Sequence, residues 1–128
     1  MIQSGTSLNV IDNSGARLVT CFKVVKGYKS RYAKMGDIVW ISIKRLRTKR
    51  KSISKTKKGE IYKALIIRTK VEKKTFSGNT FNFFSNSAVL LNKKNKLIGT
   101  KIFGSIPKFF RFNKFLKIVS LSSGLNFI

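Results

Sequence analysis

VIDNSGARLVTCFKVV, residues 10–25, runs from a turn into a strand. Asp12-Asn13-Ser14-Gly15 is turn chemistry: Asp and Asn bond nearby backbone N–H groups through short side chains, and glycine supplies backbone freedom where a Cβ does not fit. The apolar and β-branched LVTCFKVV (18–25) then reads as a strand. Asp12 is one of only four acidic residues in a chain with 28 Lys plus Arg, and its position makes it a turn residue rather than a site. Arg17, directly after the turn, has two options, pairing with Asp12 or reaching phosphate. Phosphate is favoured, because a guanidinium engages it in bidentate fashion.

Similar segments follow at short intervals. In DIVWISIKRL (37–46), Ile38, Trp40, Ser42 and Lys44 share one face and Val39, Ile41, Ile43 and Arg45 the other. The odd-numbered face is the expected core face until the charges begin. EIYKALIIRTKV (60–71), SAVLLN (87–92) and the short GTKIFG (99–104) bring the strands to five, with turn punctuation at Gly27 and Met35-Gly36-Asp37. Strands at this spacing, with no long helical periods between them, predict a mainly β fold, a small five-stranded β-barrel. Pro107 opens a helical part. KFFRFNKFLKIVSL (108–121) carries Phe110, Lys114, Lys117 and Leu121 at three- and four-residue steps, which predicts one or two short C-terminal helices. A chain of 128 residues is expected to form a single domain over 1–128, burying roughly two thirds of its unfolded surface.

A formal net charge of +24 opposes compaction unless a polyanion neutralises it, and nucleic acid is the natural partner. The charge concentrates in KRLRTKRKSISKTKK (44–58), where Lys44, Arg45, Arg47, Lys49, Arg50, Lys51, Lys55, Lys57 and Lys58 occur without an intervening acid. Lying between two strands and closed by Gly59, this run reads as a long hairpin extension, disordered when free and ordered against phosphates. After Leu46 its only aliphatic residue is Ile53, so it offers charge but little for reading bases.

Other functions lack their ingredients. The chain has no His and a lone Cys21 in the apolar LVTCF, and its acids are Asp12, Asp37, Glu60 and Glu72. No triad, metal-ligand cluster, general base or internal disulfide can be assembled from these, so no enzyme, metal or cofactor is expected. IVSLSSGLNFI at the C-terminus falls short of the roughly 20 residues a membrane helix needs. The first basic residue is Arg17, so the opening stretch has neither the charged start of a secretory signal nor the Arg-rich pattern of a transit peptide. Phe76, Phe81, Phe83 and Phe84 in TFSGNTFNFF resemble a platform for single-stranded RNA, although at strand spacing most of them are expected in the core or at a protein interface. A membrane-active role would require a long amphipathic basic helix, which only the last segment approaches.

Several motifs together resemble the universal large-subunit ribosomal protein fourteen family. They are MIQSGTSLNVIDNSGAR, KALIIRTK, the spacing from Ala64-Leu65-Ile66-Ile67 through Ser77-Gly78 and Phe83 to Asn86 and Val89-Leu90, then IGTKIFG and KFLKIVSL, in order from Met1 to about Leu121. The resemblance implies a five-stranded barrel that binds large-subunit rRNA near the subunit interface. It also implies contacts with neighbouring large-subunit proteins, bridges to small-subunit rRNA and docking of a ribosome-silencing factor on Thr100, Lys101 and Lys117. Arg68 of KALIIRTK joins Arg17 and the loop cations in the RNA-facing set. Three departures stand out: the basic loop is longer than in bacterial relatives, IPKFFRFNKF lacks the family's usual acidic residues, and Ser105 precedes Ile106-Pro107 where Gly-Pro is common. Lys outnumbers Arg, and Ile, Asn and Phe are plentiful. That bias fits A/T-rich codons and an organelle-encoded protein of the mitochondrial matrix, with a plastid or the cytoplasm of an A/T-rich bacterium as alternatives.

Overall fold

The computed structural model describes residues 1–47, 54–112 and 114–126. In chain order the elements are β1 (Ser7–Val10), β2 (Ala16–Val25), β3 (Ile38–Leu46), β4 (Ile61–Arg68), β5 (Lys73–Lys74), β6 (Thr80–Phe81), β7 (Ser87–Leu91) and β8 (Ile102–Pro107). A 3₁₀ turn (Lys108–Phe112), α1 (Leu116–Leu121) and β9 (Ser122–Asn126) complete the chain. Strands β1, β2, β3, β4 and β7 close a barrel, sealed by the parallel pairing of Asn9 with Ser87 and Val10 with Ala88. Closure leaves the barrel no free edge to recruit another strand.

The five-stranded barrel is as expected, but its membership differs. The fifth barrel strand is β1, not 99–104. SLNV is too short to stand out as a run, and it becomes a strand because β2 and β7 flank it on both sides. The 99–104 segment contributes instead to β8, which pairs in parallel with β9, Ile106 opposite Leu125 and Pro107 opposite Asn126. Pro107 therefore ends a strand rather than starting a helix, and the 3₁₀ turn begins at Lys108. A residue without an N–H is tolerated there because β8 lies at the edge of a two-stranded sheet.

Two cores explain the burial pattern. Inside the barrel lie Leu8, Val10, Val19, Val39, Ile41, Ile43, Ala64, Ile66, Ala88 and Leu90, including the odd-numbered face expected of β3. The second core lies outside it, where Leu65 and Ile67 of β4 and Val89 and Leu91 of β7 meet Ile102, Ile106, Phe110 and Ile118 from the C-terminal part. Both β4 and β7 are thus covered on both faces, which is why ALII and AVLL are continuous apolar runs rather than alternating ones. Cys21 is fully buried, and burial raises its thiol pKa, as befits a packing residue rather than a nucleophile.

Candidate nucleic-acid interface

The turn at residues 12–15 is the joint of the molecule. Asp12 is fully buried. One carboxylate oxygen accepts from the Ser14 backbone N–H (3.0 Å) and the Ser14 hydroxyl, and the other accepts from the Leu90 N–H of β7 at 2.9 Å. Asn13 clamps the other side: its Oδ1 accepts from the Thr100 N–H (2.7 Å) and the Lys101 N–H (3.3 Å), and its Nδ2 donates to the Thr100 hydroxyl (2.8 Å). Gly15 has φ +97°, and a Cβ there would lie 2.5 Å from Cβ of Ser54, so only glycine lets the basic loop close over the turn.

The returning limb of the 44–58 segment is fastened at that point. The Lys55 N–H donates to Ser14 O at 3.1 Å and the Arg47 N–H to Gly15 O at 2.9 Å, while the hydroxyl of buried Thr56 lies 3.3 Å from Ser14 O. Lys44 and Arg45 are the outer end of β3, and their side chains are exposed together with those of Arg47, Lys55, Lys57 and Lys58. The described residues of the segment are therefore tied to the end of the barrel. Lys49, Arg50 and Lys51, predicted for the same site, lie outside the described residues. Arg17 is exposed on a β-bulge: Ala16 pairs with Leu46 and Leu18 with Arg45, leaving Arg17 as the extra residue turned outward beside that basic end of β3. It makes no ion pair with Asp12, whose oxygens already serve N–H and hydroxyl donors.

The acids do little to neutralise this surface. Besides Asp12, Asp37 accepts the Lys34 N–H at 2.7 Å and holds Lys26 at 3.0 Å, the one ion pair among the described residues. Glu60 accepts the Lys57 N–H (2.9 Å) and the Tyr62 hydroxyl (2.7 Å). These two bonds, the Lys57 N–H first, hold its carboxyl below the usual range. Three of four carboxylates thus cap backbone or hydroxyl donors; Arg17, Lys44, Arg45 and Lys58 are exposed with no ion pair among the described residues, while Arg47 also donates to Val10 O at 3.2 Å.

The remaining predicted residues fall elsewhere. Arg68 is half-buried, and desolvation lowers its pKa. It donates to Phe103 O at 2.7 Å and Ser105 O at 2.9 Å, tying β4 to β8. Gly104, at φ +83°, makes room for it, since a Cβ would lie 2.2 Å from a guanidinium nitrogen. Thr100 and Lys101 sit in the loop clamped by Asn13, and Lys117 is on α1, all three exposed. Of their apolar neighbours, Ile102 and Ile118 are buried in the second core and Phe115 packs against it, whereas Phe103 is partly exposed. The aromatic cluster divides: Phe81 and Phe83 turn inward and meet edge to face at 6.0 Å, while Phe76 and Phe84 are fully exposed. Sequence reasoning passed over a second basic group, Lys23, Lys29 and Arg31 around the β2–β3 turn. Their spacing among aromatics in FKVVKGYKSRY was the available signal.

Among the described residues no group of three or more His, Cys, Asp or Glu is placed to hold a metal, and no helix is long and apolar enough to cross a membrane. Residues 1–125 match the family model for ribosomal protein L14p/L23e. With its closed five-stranded barrel and outward-facing cations, the chain belongs to that family, a structural and non-enzymatic class of large-subunit ribosomal proteins.

Proposed function

We propose that the chain binds large-subunit rRNA near the subunit interface, through phosphate contacts from Arg17, Lys44, Arg45, Arg47, Lys55, Lys57 and Lys58, continued by Lys49, Arg50 and Lys51. The observation that carries this reading is the division of charge. Carboxylates are spent on internal donors, while cations from a bulge, a strand end and a loop limb converge on one end of the β2–β3 ribbon. Such a surface draws affinity from released counter-ions and reads no sequence. In that position the protein contributes to bridges with small-subunit rRNA and contacts neighbouring large-subunit proteins. A ribosome-silencing factor docks on Thr100, Lys101 and Lys117. Arg68 supports the site from behind, by fixing β8. The Lys, Ile, Asn and Phe bias supports a mitochondrial ribosome encoded in the organelle.

The test is RNA binding across a salt series. Replacing Arg17, Arg47, Lys55 and Lys57 by Gln should weaken binding to all RNA sequences alike and lower the log–log salt slope by about one for each phosphate no longer engaged. An unchanged slope refutes the phosphate reading. For the factor-binding face, Lys101→Glu with Lys117→Glu should abolish factor binding and leave subunit assembly intact, as read by co-sedimentation.

A further inference from the structure

The β2–β3 ribbon has a second functional end. Val25 pairs with Ile38 at one end and Ala16 with Leu46 at the other, so the turn at 27–31 stands about 30 Å from Arg17 at roughly 3.3 Å per residue. Between this turn and the N-terminal segment lies a groove of about 770 Å³, lined among others by Ser4, Phe22, Lys23, Lys29, Ser30 and Arg31. That volume is in the range of small-ligand clefts, roughly 300–1,000 Å³. Its aromatic wall comes from an irregularity in the ribbon. The register steps from Cys21 opposite Ile41 to Lys23 opposite Trp40, which leaves Phe22 as the extra residue of a bulge. Cys21 points into the core and Phe22 outward, 44% exposed, with its carbonyl held by the Ser4 hydroxyl at 2.9 Å. Tyr28, 92% exposed, lies in the chain between the lining residues Gly27 and Lys29, with the Lys29 ammonium 5.4 Å from its ring centroid.

No acid lines the groove. Asp37, the acid on the same connection, is taken by Lys26 and the Lys34 N–H, and Lys23, Lys29 and Arg31 have no carboxylate partner among the described residues. A protein partner would call for a contiguous apolar patch. Here the apolar lining is confined to Phe22 and Val24, set among cations and polar side chains, which suits a nucleotide: π-face for the base, cations for its phosphates.

We propose that this groove holds an unpaired nucleotide of an RNA strand. The base stacks on Phe22, Lys23, Lys29 and Arg31 engage the flanking phosphates, and Tyr28 stacks the adjacent base. The proposal rests on the reading that the partner is RNA, and it adds a contact that selects unpaired over paired strands.

The full-length protein would be titrated into a labelled single-stranded oligouridine and into an RNA duplex of equal length, at several salt concentrations. Phe22→Ala with Tyr28→Ala should weaken single-strand binding about fivefold to 150-fold per stacked base, with unchanged salt slope and unchanged duplex binding. Phe22→Tyr with Tyr28→Trp should restore it, and unchanged thermal melts would show that all variants fold. Single-strand affinity unaffected by the Ala pair, or equal weakening of the duplex, overturns the proposal. The Gln variants of the basic loop separate the two readings: loss of salt slope on both probes supports the loop. If those variants bind normally while the Ala pair does not, the groove stands and the loop reading fails. Binding of neither probe by the unaltered protein overturns both.

Discussion

Removing the Asp12 carboxylate leaves two backbone N–H groups and a hydroxyl facing a dry interior. Each unsatisfied buried donor costs about 1–3 kcal/mol, so Asp12→Ala should lower the free energy of unfolding by about 3 kcal/mol or more. Asp12→Asn should lose less, because its Oδ1 still accepts. Chemical denaturation of the three proteins measures the order. Sequence reading recognised Asp12 as a turn residue, since its local partner Ser14 is two positions away. The bond to Leu90 spans 78 residues, and no local pattern encodes it. Tyr62 offers a second test. Burial first, then the hydrogen bond and charge of Glu60, push its phenol from 10.0 up to about 12. A raised folded value means the associated stability is complete below pH 10 and disappears as pH climbs from 10 to about 12. For Glu60 the sign is opposite, its contribution being present above the ordinary carboxylate range and lost as pH falls through its lowered value. Ultraviolet titration should find a late phenol that is absent in Tyr62→Phe.

Among the elements, β8 depends most on a single side chain. Two charge-assisted bonds from Arg68 hold its carbonyls, each worth about 1.5–3 kcal/mol. Arg68→Ala should therefore destabilise the C-terminal part by about 3–6 kcal/mol while the barrel persists. Hydrogen exchange would show faster exchange in β8 and β9 and retained protection in β2, β3 and β4. Arg68→Lys should recover little, because an ammonium cannot span Phe103 O and Ser105 O as a planar fork does. The elements differ in how far they could be read from residues. Alternation marked the faces of β3. The apolar runs of β4 and β7 announced strands but not that the C-terminal part covers their outer faces. The 99–104 segment had strand composition, and only its pairing partner showed that it stands outside the barrel.

For the whole molecule, a formal charge of +24 with one ion pair among the described residues means like charges repel across a small domain. The melting temperature should rise with ionic strength, because salt shortens the screening length from about 30 Å at 0.01 M to about 10 Å at 0.1 M. Added RNA should raise it further by mass action. A salt-independent melt would show that geometry already keeps the cations apart. By itself the sequence determined the class of fold, the turn at 12–15 and the excess of positive charge. These follow from periodicity, composition and side-chain chemistry, which act over a few residues or over the total charge. The tertiary structure decided which strand closes the barrel, that Phe22 and Arg17 turn toward solvent, and that Arg68 is tied to β8. Those outcomes depend on register and closure between residues 17 to 78 positions apart, and a one-residue bulge turns a side chain from core to surface.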